Sequence, residues 1–198
     1  LDIPVPDGFA AVAGAQSACP VLALTGEDGL AAVPSRQRRK LRMARHRAAR
    51  RGGVVHRVEN RDIGFFLDHL ARLHAARWTE RGEGGVMASD PVLAFHAAAL
   101  PRLAEAGLLQ LLTLSIEGAV AGAYYGLRRS GRAYAYLGGF DPAFAFESPG
   151  TILLGQAIED AAREGAREFH LLRGQEPYKY AWGAVDRPNR RRSLRRRA

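Results

Sequence analysis

Most of the side chains in this chain that could do chemistry lie in its last quarter, between Ser148 and Gly183. A Ser148-Pro149-Gly150-Thr151 helix start and an apolar strand precede the run Leu171-Leu172-Arg173-Gly174-Gln175-Glu176-Pro177-Tyr178-Lys179-Tyr180-Ala181-Trp182-Gly183. One short loop thus gathers a Glu, two Tyr, a Lys and a Trp, in a chain that has only two Lys and two Trp. Polar groups collected just after a buried strand are where a scaffold carries its function. Carboxylate, phenol and ammonium groups are those that acid–base chemistry and anion binding draw on. Upstream, Ser148 as cap, Pro149 as first helical residue and Gly150 without a side chain leave backbone amides at a helix start, a place that suits a phosphate. Glu147 beside it repels an anion unless its carboxylate is turned away.

Other candidate groups read as structural. His170, inside the strand, fits a core histidine, and Trp182 a core anchor. His46, His56, His69, His74 and His96 have no metal-ligand spacing. Cys19 is the single cysteine, so it has no internal disulfide partner and no metal-ligand companion.

The elements that position the loop are legible from apolar periodicity. Residues 1–34 have scattered apolar residues and read as an irregular lead-in with a short strand at Val21 to Leu24. Ser35 caps an expected helix to Arg51, stopped by Gly52-Gly53, with Leu41, Ala44 and Ala48 as a narrow apolar stripe. Val54 to Glu59 reads as a strand. Asp62 then caps a helix carrying Ile63, Phe66, Leu67, Leu70, Leu73 and Trp78 to Gly82, and Asp90-Pro91 starts another that stops at Gly107. Leu108–Ile116, Ala119–Leu127 and Arg132–Gly138, joined by short turns, make an antiparallel meander. A helix from Thr151 to Glu164 crosses over to a strand at Glu168–Leu172, which should run parallel to the third meander strand.

Charge is uneven along the chain. Nine basic residues and no acid lie between Arg36 and Arg51, and seven more between Arg187 and Arg197, so these segments carry +16 while the rest carries −7. Such strips attract phosphates or stand as solvated faces. With 198 residues, no apolar run of bilayer length and no signal-peptide pattern, a cytoplasmic protein of one main domain is expected. Its parts are a lead-in (1–34), a domain (35–185) and a basic tail (186–198). The start at Leu1 instead of Met points to a longer protein with a domain upstream.

The ordered motifs carry a resemblance. Gly138-Gly139-Phe140-Asp141-Pro142, Ser148-Pro149-Gly150 and Leu172-Arg173-Gly174 through Tyr178-Lys179, with the Arg-rich helix, Leu73-His74-Ala75-Ala76-Arg77-Trp78 and Arg81-Gly82 upstream, look like the acetyltransferase domain of the CelD/BcsL (BioF2-like) type. That group belongs to the GNAT superfamily and is similar to the FemABX aminoacyltransferases. The resemblance implies an α/β (α+β) fold, with a mixed sheet that splays between the third meander strand and the parallel strand. It implies acyl-CoA, acetyl-CoA above all, as co-substrate, its pantetheine along Leu137, Gly138 and Gly139 and its pyrophosphate at Ser148, Pro149, Gly150 and Thr151. Transfer is direct, with Tyr178, or else Tyr180, as the acid. Asp141 and Glu176 are the nearest carboxylates for a base, although Asp141-Pro142 also suits a turn and Glu176 an ion pair with Lys179. Lys179 and Arg173 are placed to hold the acceptor, an amine or hydroxyl of an envelope, polysaccharide or small-molecule compound. The FemABX likeness allows an aminoacyl-tRNA donor or another polyanion on the Arg36–Arg51 helix. A non-catalytic basic module is the remaining alternative.

Overall fold

The computed structural model describes residues 4–79 and 85–197. The side chain of Trp78 and the Arg81-Gly82 pair lie outside the described residues. Seven strands form one sheet in the order β2-β3-β4-β5-β6-β1-β7, all neighbours antiparallel except β5 and β6. They are β1 (Phe9–Ala23), β2 (Val54–Arg57), β3 (Leu109–Ile116), β4 (Ala119–Arg129), β5 (Arg132–Phe140), β6 (Glu168–His170) and β7 (Val185–Arg196). The helices are α1 (Ser35–Ala49), α2 (Ile63–Thr79), α3 (Asp90–Glu105), α4 (Pro149–Arg163) and α5 (Pro177–Ala181).

Side-chain alternation splits the core into two layers, one on each sheet face. Leu112, Leu114 and Ile116 of β3 meet Leu41 and Ala44 of α1 and Leu153, Ala157 and Ile158 of α4. On the opposite face Leu111, Ala123 and Tyr125 meet Phe66, Leu70 and Leu73 of α2 and Leu100 of α3. Where α4 crosses β4, a Cβ on Gly122 would stand 2.9 Å from Leu153 Cδ1 and 3.1 Å from Pro149 Cβ, so the missing side chain lets the helix sit directly on the strand.

The meander, the crossover helix and the parallel strand stand as read, with β6 shorter than Glu168–Leu172. The ends of the chain do not. The lead-in and the basic tail are corrected to two long strands, β1 and β7, paired with each other at eleven positions from Phe9 opposite Arg196 to Val21 opposite Val185. Neither shows a period of two: β1 is rich in Ala, and every position of β7 is exposed. Backbone pairing holds β7 and the first half of β1, while the end of β1, where a short strand was expected, buries Val21 and Leu22 and also pairs with β6. Helix starts also differ by a residue or so: Pro34 rather than Ser35 is the cap of α1, Ser89 rather than Asp90 that of α3, and Asp62 belongs to a 3-10 turn (Asn60–Asp62) leading into α2.

Candidate active site

The two parallel strands stay together for three paired positions and then part. Arg132, Ala133 and Tyr134 face Glu168, Phe169 and His170; beyond them β5 continues to Phe140 while β6 ends. The reason lies on both sides of β6. Leu171 N–H bonds to Pro20 O at 2.9 Å, drawing the chain toward β1, and Leu172 takes a left-handed φ of 58° that turns it out of the strand. Among the described residues, the stretch of β5 from Ala135 to Phe140 therefore has a strand partner only in β4. Leu137, Gly138 and Gly139 lie on this stretch, opposite Tyr125, Tyr124 and Ala123. A Cβ on Gly139 would come within 2.6 Å of His74 N, so α2 roofs one face of the strand end at backbone distance.

The start of α4 closes the same end. Gly150 is exposed, and a Cβ there would lie 3.7 Å from the Phe140 ring, which places the helix tip at the end of β5. Ser148, at φ 57° and ψ 58°, turns the chain into the helix without capping it by its side chain. Thr151 N–H bonds back to Ser148 O at 3.0 Å and Pro149 has no N–H, so Gly150 N–H is the donor left pointing out of the tip. Glu147 is turned away: it is buried, and its carboxylate accepts from Arg51 Nη1 at 2.9 Å, which holds its pKa below the usual range. Arg47 donates to Ser148 Oγ at 3.3 Å and lies 4.9 Å over the Phe146 ring, bringing positive charge from α1 beside the tip. Such a tip and cation favour an anion.

The loop after β6 is folded around Lys179. This ammonium is only 3% exposed and donates to Arg173 O at 2.7 Å, to Gly174 O at 3.2 Å and to Glu176 Oε2 at 2.9 Å. Its three protons are spent inside the loop, which it fastens. Glu176 curls back over Gly174, whose φ of 106° permits the approach. Tyr178 is half exposed on the first turn of α5, and Arg173 is exposed. Tyr180 instead donates to Asp186 Oδ1 at 2.8 Å, and Gln175 reaches the other oxygen of that carboxylate at 3.0 Å. Asp141 accepts from Ala143 N–H at 3.1 Å and from Arg72 Nη1 at 3.3 Å, the turn-forming role its Asp-Pro sequence allows. The structure thus brings β5, the α4 tip and Phe140 together, while the two carboxylates expected to act as bases are both engaged in ion pairs.

One group at the parting point was read from the sequence as core. His170 ends β6 with 18% of its side chain exposed, its Nε2 3.0 Å from Glu168 Oε2 and its ring stacked on Tyr134 with centroids 4.7 Å apart. Glu168 also accepts from Arg132 and Arg187, and these bonds, that from Arg187 foremost, hold its pKa down to about 2. The signal was the spacing: Glu168 and His170 two apart in a strand must share a face.

Residues 35–180 match the acetyltransferase (GNAT) domain family model, and the chain belongs to that family. No curated protein matches the chain. Among solved structures it is similar to FemX, with 13% identity, a TM-score of 0.69 and coverage of 90% of this chain and 63% of that one. A conserved protein from Bacteroides thetaiotaomicron has 16% identity and a TM-score of 0.63, covering 91% of this chain and 60% of its own. The L-PGS of Bacillus licheniformis has 12% identity and a TM-score of 0.58, with 92% and 60% coverage. These likenesses show the shared fold, and the chain spans 60% to 63% of the length of each.

Proposed function

We propose that the protein is an acyltransferase of the CelD/BcsL type, moving an acyl group, acetyl first, from acyl-CoA to an amine or hydroxyl of an envelope, polysaccharide or small-molecule acceptor. One observation carries this reading: β5 and β6 separate beyond Tyr134 and His170, next to a helix tip that offers Gly150 N–H and the nearby Arg47 to an anion. The open β5 edge at Leu137 to Gly139 supplies backbone groups to amides of an extended donor. Its carbonyl, held beside strand amides, has its developing negative charge stabilised, and nothing in the transfer requires a covalent enzyme intermediate. Ser148, Pro149, Gly150 and Thr151 would seat the donor's phosphates. In this reading Tyr178, exposed after the parallel strand, protonates the departing thiolate. Glu176 and Asp141 remain possible proton acceptors only after leaving Lys179 and Arg72. Among the described residues no helix is long and apolar enough to cross a membrane; a cytoplasmic place, where acyl-CoA is supplied, suits the reading.

Calorimetric titration with acetyl-CoA tests it. Binding by the wild type and its loss in Gly150→Glu, which puts a carboxylate at the phosphate seat, are expected. No heat with the wild type overturns the CoA reading.

A second reading has its own observation. The outward side of α1 exposes Arg36, Arg39, Lys40 and Arg42, and the exposed strand β7 adds more arginines. The FemABX resemblance of the sequence motifs makes an aminoacyl-tRNA donor the alternative, as is a non-catalytic polyanion-binding module. Both predict salt-sensitive RNA binding, falling with the logarithm of salt concentration; only the first adds transfer.

A further inference from the structure

Accepting the acyl transfer proposed above, we infer that His170 is the group that takes the proton from the attacking acceptor, and that Glu168 positions it. The place comes first. Tyr134 and His170 are the last paired residues of the parallel strands, so the imidazole stands at the apex of the splay, where a donor lying along β5 ends. Phe169 of β6 and Leu171 just after it point into the α1/α4 layer, which puts His170 and Glu168 on the opposite sheet face. There α2 and α3 pack on β3, β4 and β5, and the imidazole keeps 18% of its side chain exposed. An acceptor can reach it from that face while the donor's phosphates are held at the α4 tip.

The tautomer follows from the partners. Glu168, bonded to Arg132 and Arg187, is a carboxylate and only accepts hydrogen bonds, so the 3.0 Å contact makes His170 Nε2 the donor. In the neutral ring Nδ1 then carries the lone pair. Stacking on Tyr134, 29° from parallel, fixes the ring plane. The step balances: the acceptor's N–H or O–H proton passes to Nδ1 as its nitrogen or oxygen bonds to the thioester carbon. The C–S bond breaks, and the thiolate is protonated by Tyr178 or by solvent, giving the acyl product and free CoA thiol. The groups facing His170 are Tyr134 from β5 and Glu168 from its own strand, with Arg132 and Arg187 one contact further through Glu168. The carboxylates Glu176 and Asp141, tied to Lys179 and Arg72, leave this role open.

The test is free-thiol release from acetyl-CoA, with water and a panel of small amines and alcohols as acceptors, beside calorimetric binding of acetyl-CoA. His170→Gln keeps a hydrogen-bonding side chain for Glu168. It is expected to release thiol about 10²-fold or more slowly at saturating acetyl-CoA, with donor affinity within a factor of about two of wild type, since His170 is not placed among the groups that seat the donor. Added imidazole should restore part of the rate to His170→Ala, which a structural role would not allow. His170→Gln turning over like wild type with binding intact overturns the base alone. A wild type that binds acetyl-CoA and releases thiol to none of the acceptors also contradicts it. A wild type that does not bind acetyl-CoA overturns the donor reading on which the inference rests.

Discussion

Tyr134 and His170 are both the last paired residues of the parallel strands and a stacked ring pair, with centroids 4.7 Å apart. The stack pins the strands together at the point where they must begin to part. Replacing Tyr134 by Ala removes that pin while leaving the three backbone pairings. Turnover should fall through a looser apex, while the melting temperature moves by only a few degrees, because Tyr134 is only partly buried. Unchanged thiol release in Tyr134→Ala would show that the stack does not position the apex.

Glu168 ties stability to acid. Arg187, then His170 and Arg132, favour its charged form and lower its folded pKa from 4.5 to about 2. A depressed carboxylate contributes stability that is fully present above its unfolded value and is lost as pH falls toward the folded one. The urea midpoint should therefore drop between pH 4.5 and 2. Glu168→Gln, with nothing there to titrate, should show a shallower fall across the same window and a lower midpoint at neutral pH. Parallel curves for the two proteins would mean that the bonds to Glu168 are not maintained in solution.

Two adjacent glycines on β5 should respond differently to a methyl group. At Gly139 a Cβ would meet the α2 backbone at 2.6 Å, whereas at Gly138 it would meet only Ala123 O, at 3.3 Å. Gly139→Ala must push α2 off the sheet and should cost about 1–3 kcal/mol or more. Gly138→Ala should be milder by thermal denaturation yet interfere with a donor lying along that edge. Equal melting temperatures would show that α2 does not press on the strand end.

Lys179 holds the loop after β6 by three bonds at once. Lys179→Met keeps the apolar stem but strands Arg173 O and Gly174 O, at a cost of about 1–3 kcal/mol for each acceptor that stays buried. The expected result is a lower melting temperature and faster protease cutting between Leu171 and Glu176, with activity falling because Tyr178 loses its support. A variant as stable as wild type would show that these bonds do not hold the loop.

Tyr178→Phe separates chemistry from folding. The side chain is half exposed, so its stability should be unchanged. If the phenol protonates the thiolate, turnover should drop about 10²-fold with unchanged donor binding; full activity would remove Tyr178 from the mechanism without affecting the fold.

The legible parts of the chain were those where burial writes a period. Leu112, Leu114 and Ile116 alternate, and Leu153, Ala157 and Ile158 recur at helical spacing, so the meander and α4 could be read directly. Of β1 only the buried end at Val21 was legible; its first half and β7 were not, because they satisfy each other's backbones and bury little: Ala10, Ala11 and Ala13 face Arg195, Leu194 and Arg192 with no apolar face to signal a strand. The site divides in the same way. Ser148-Pro149-Gly150 announces a helix tip by local residue type, and Gly138-Gly139 announces close packing. Arg72, which holds Asp141, and Arg132 and Arg187, which hold Glu168, come from other elements, and such pairings leave no local pattern. Glu147 shows this most clearly, since its repulsion of an anion vanishes through Arg51, 96 residues away in sequence.

The most direct measurement is amide hydrogen exchange along β5 with and without acetyl-CoA. In the free protein the amides between Leu137 and Gly139 that point away from β4 should exchange readily, and saturating acetyl-CoA should slow exchange there and at Gly150 while leaving β3 unchanged. Slow exchange of the whole stretch in the free protein, with no change on adding acetyl-CoA, would mean that the edge is already closed and would contradict the account.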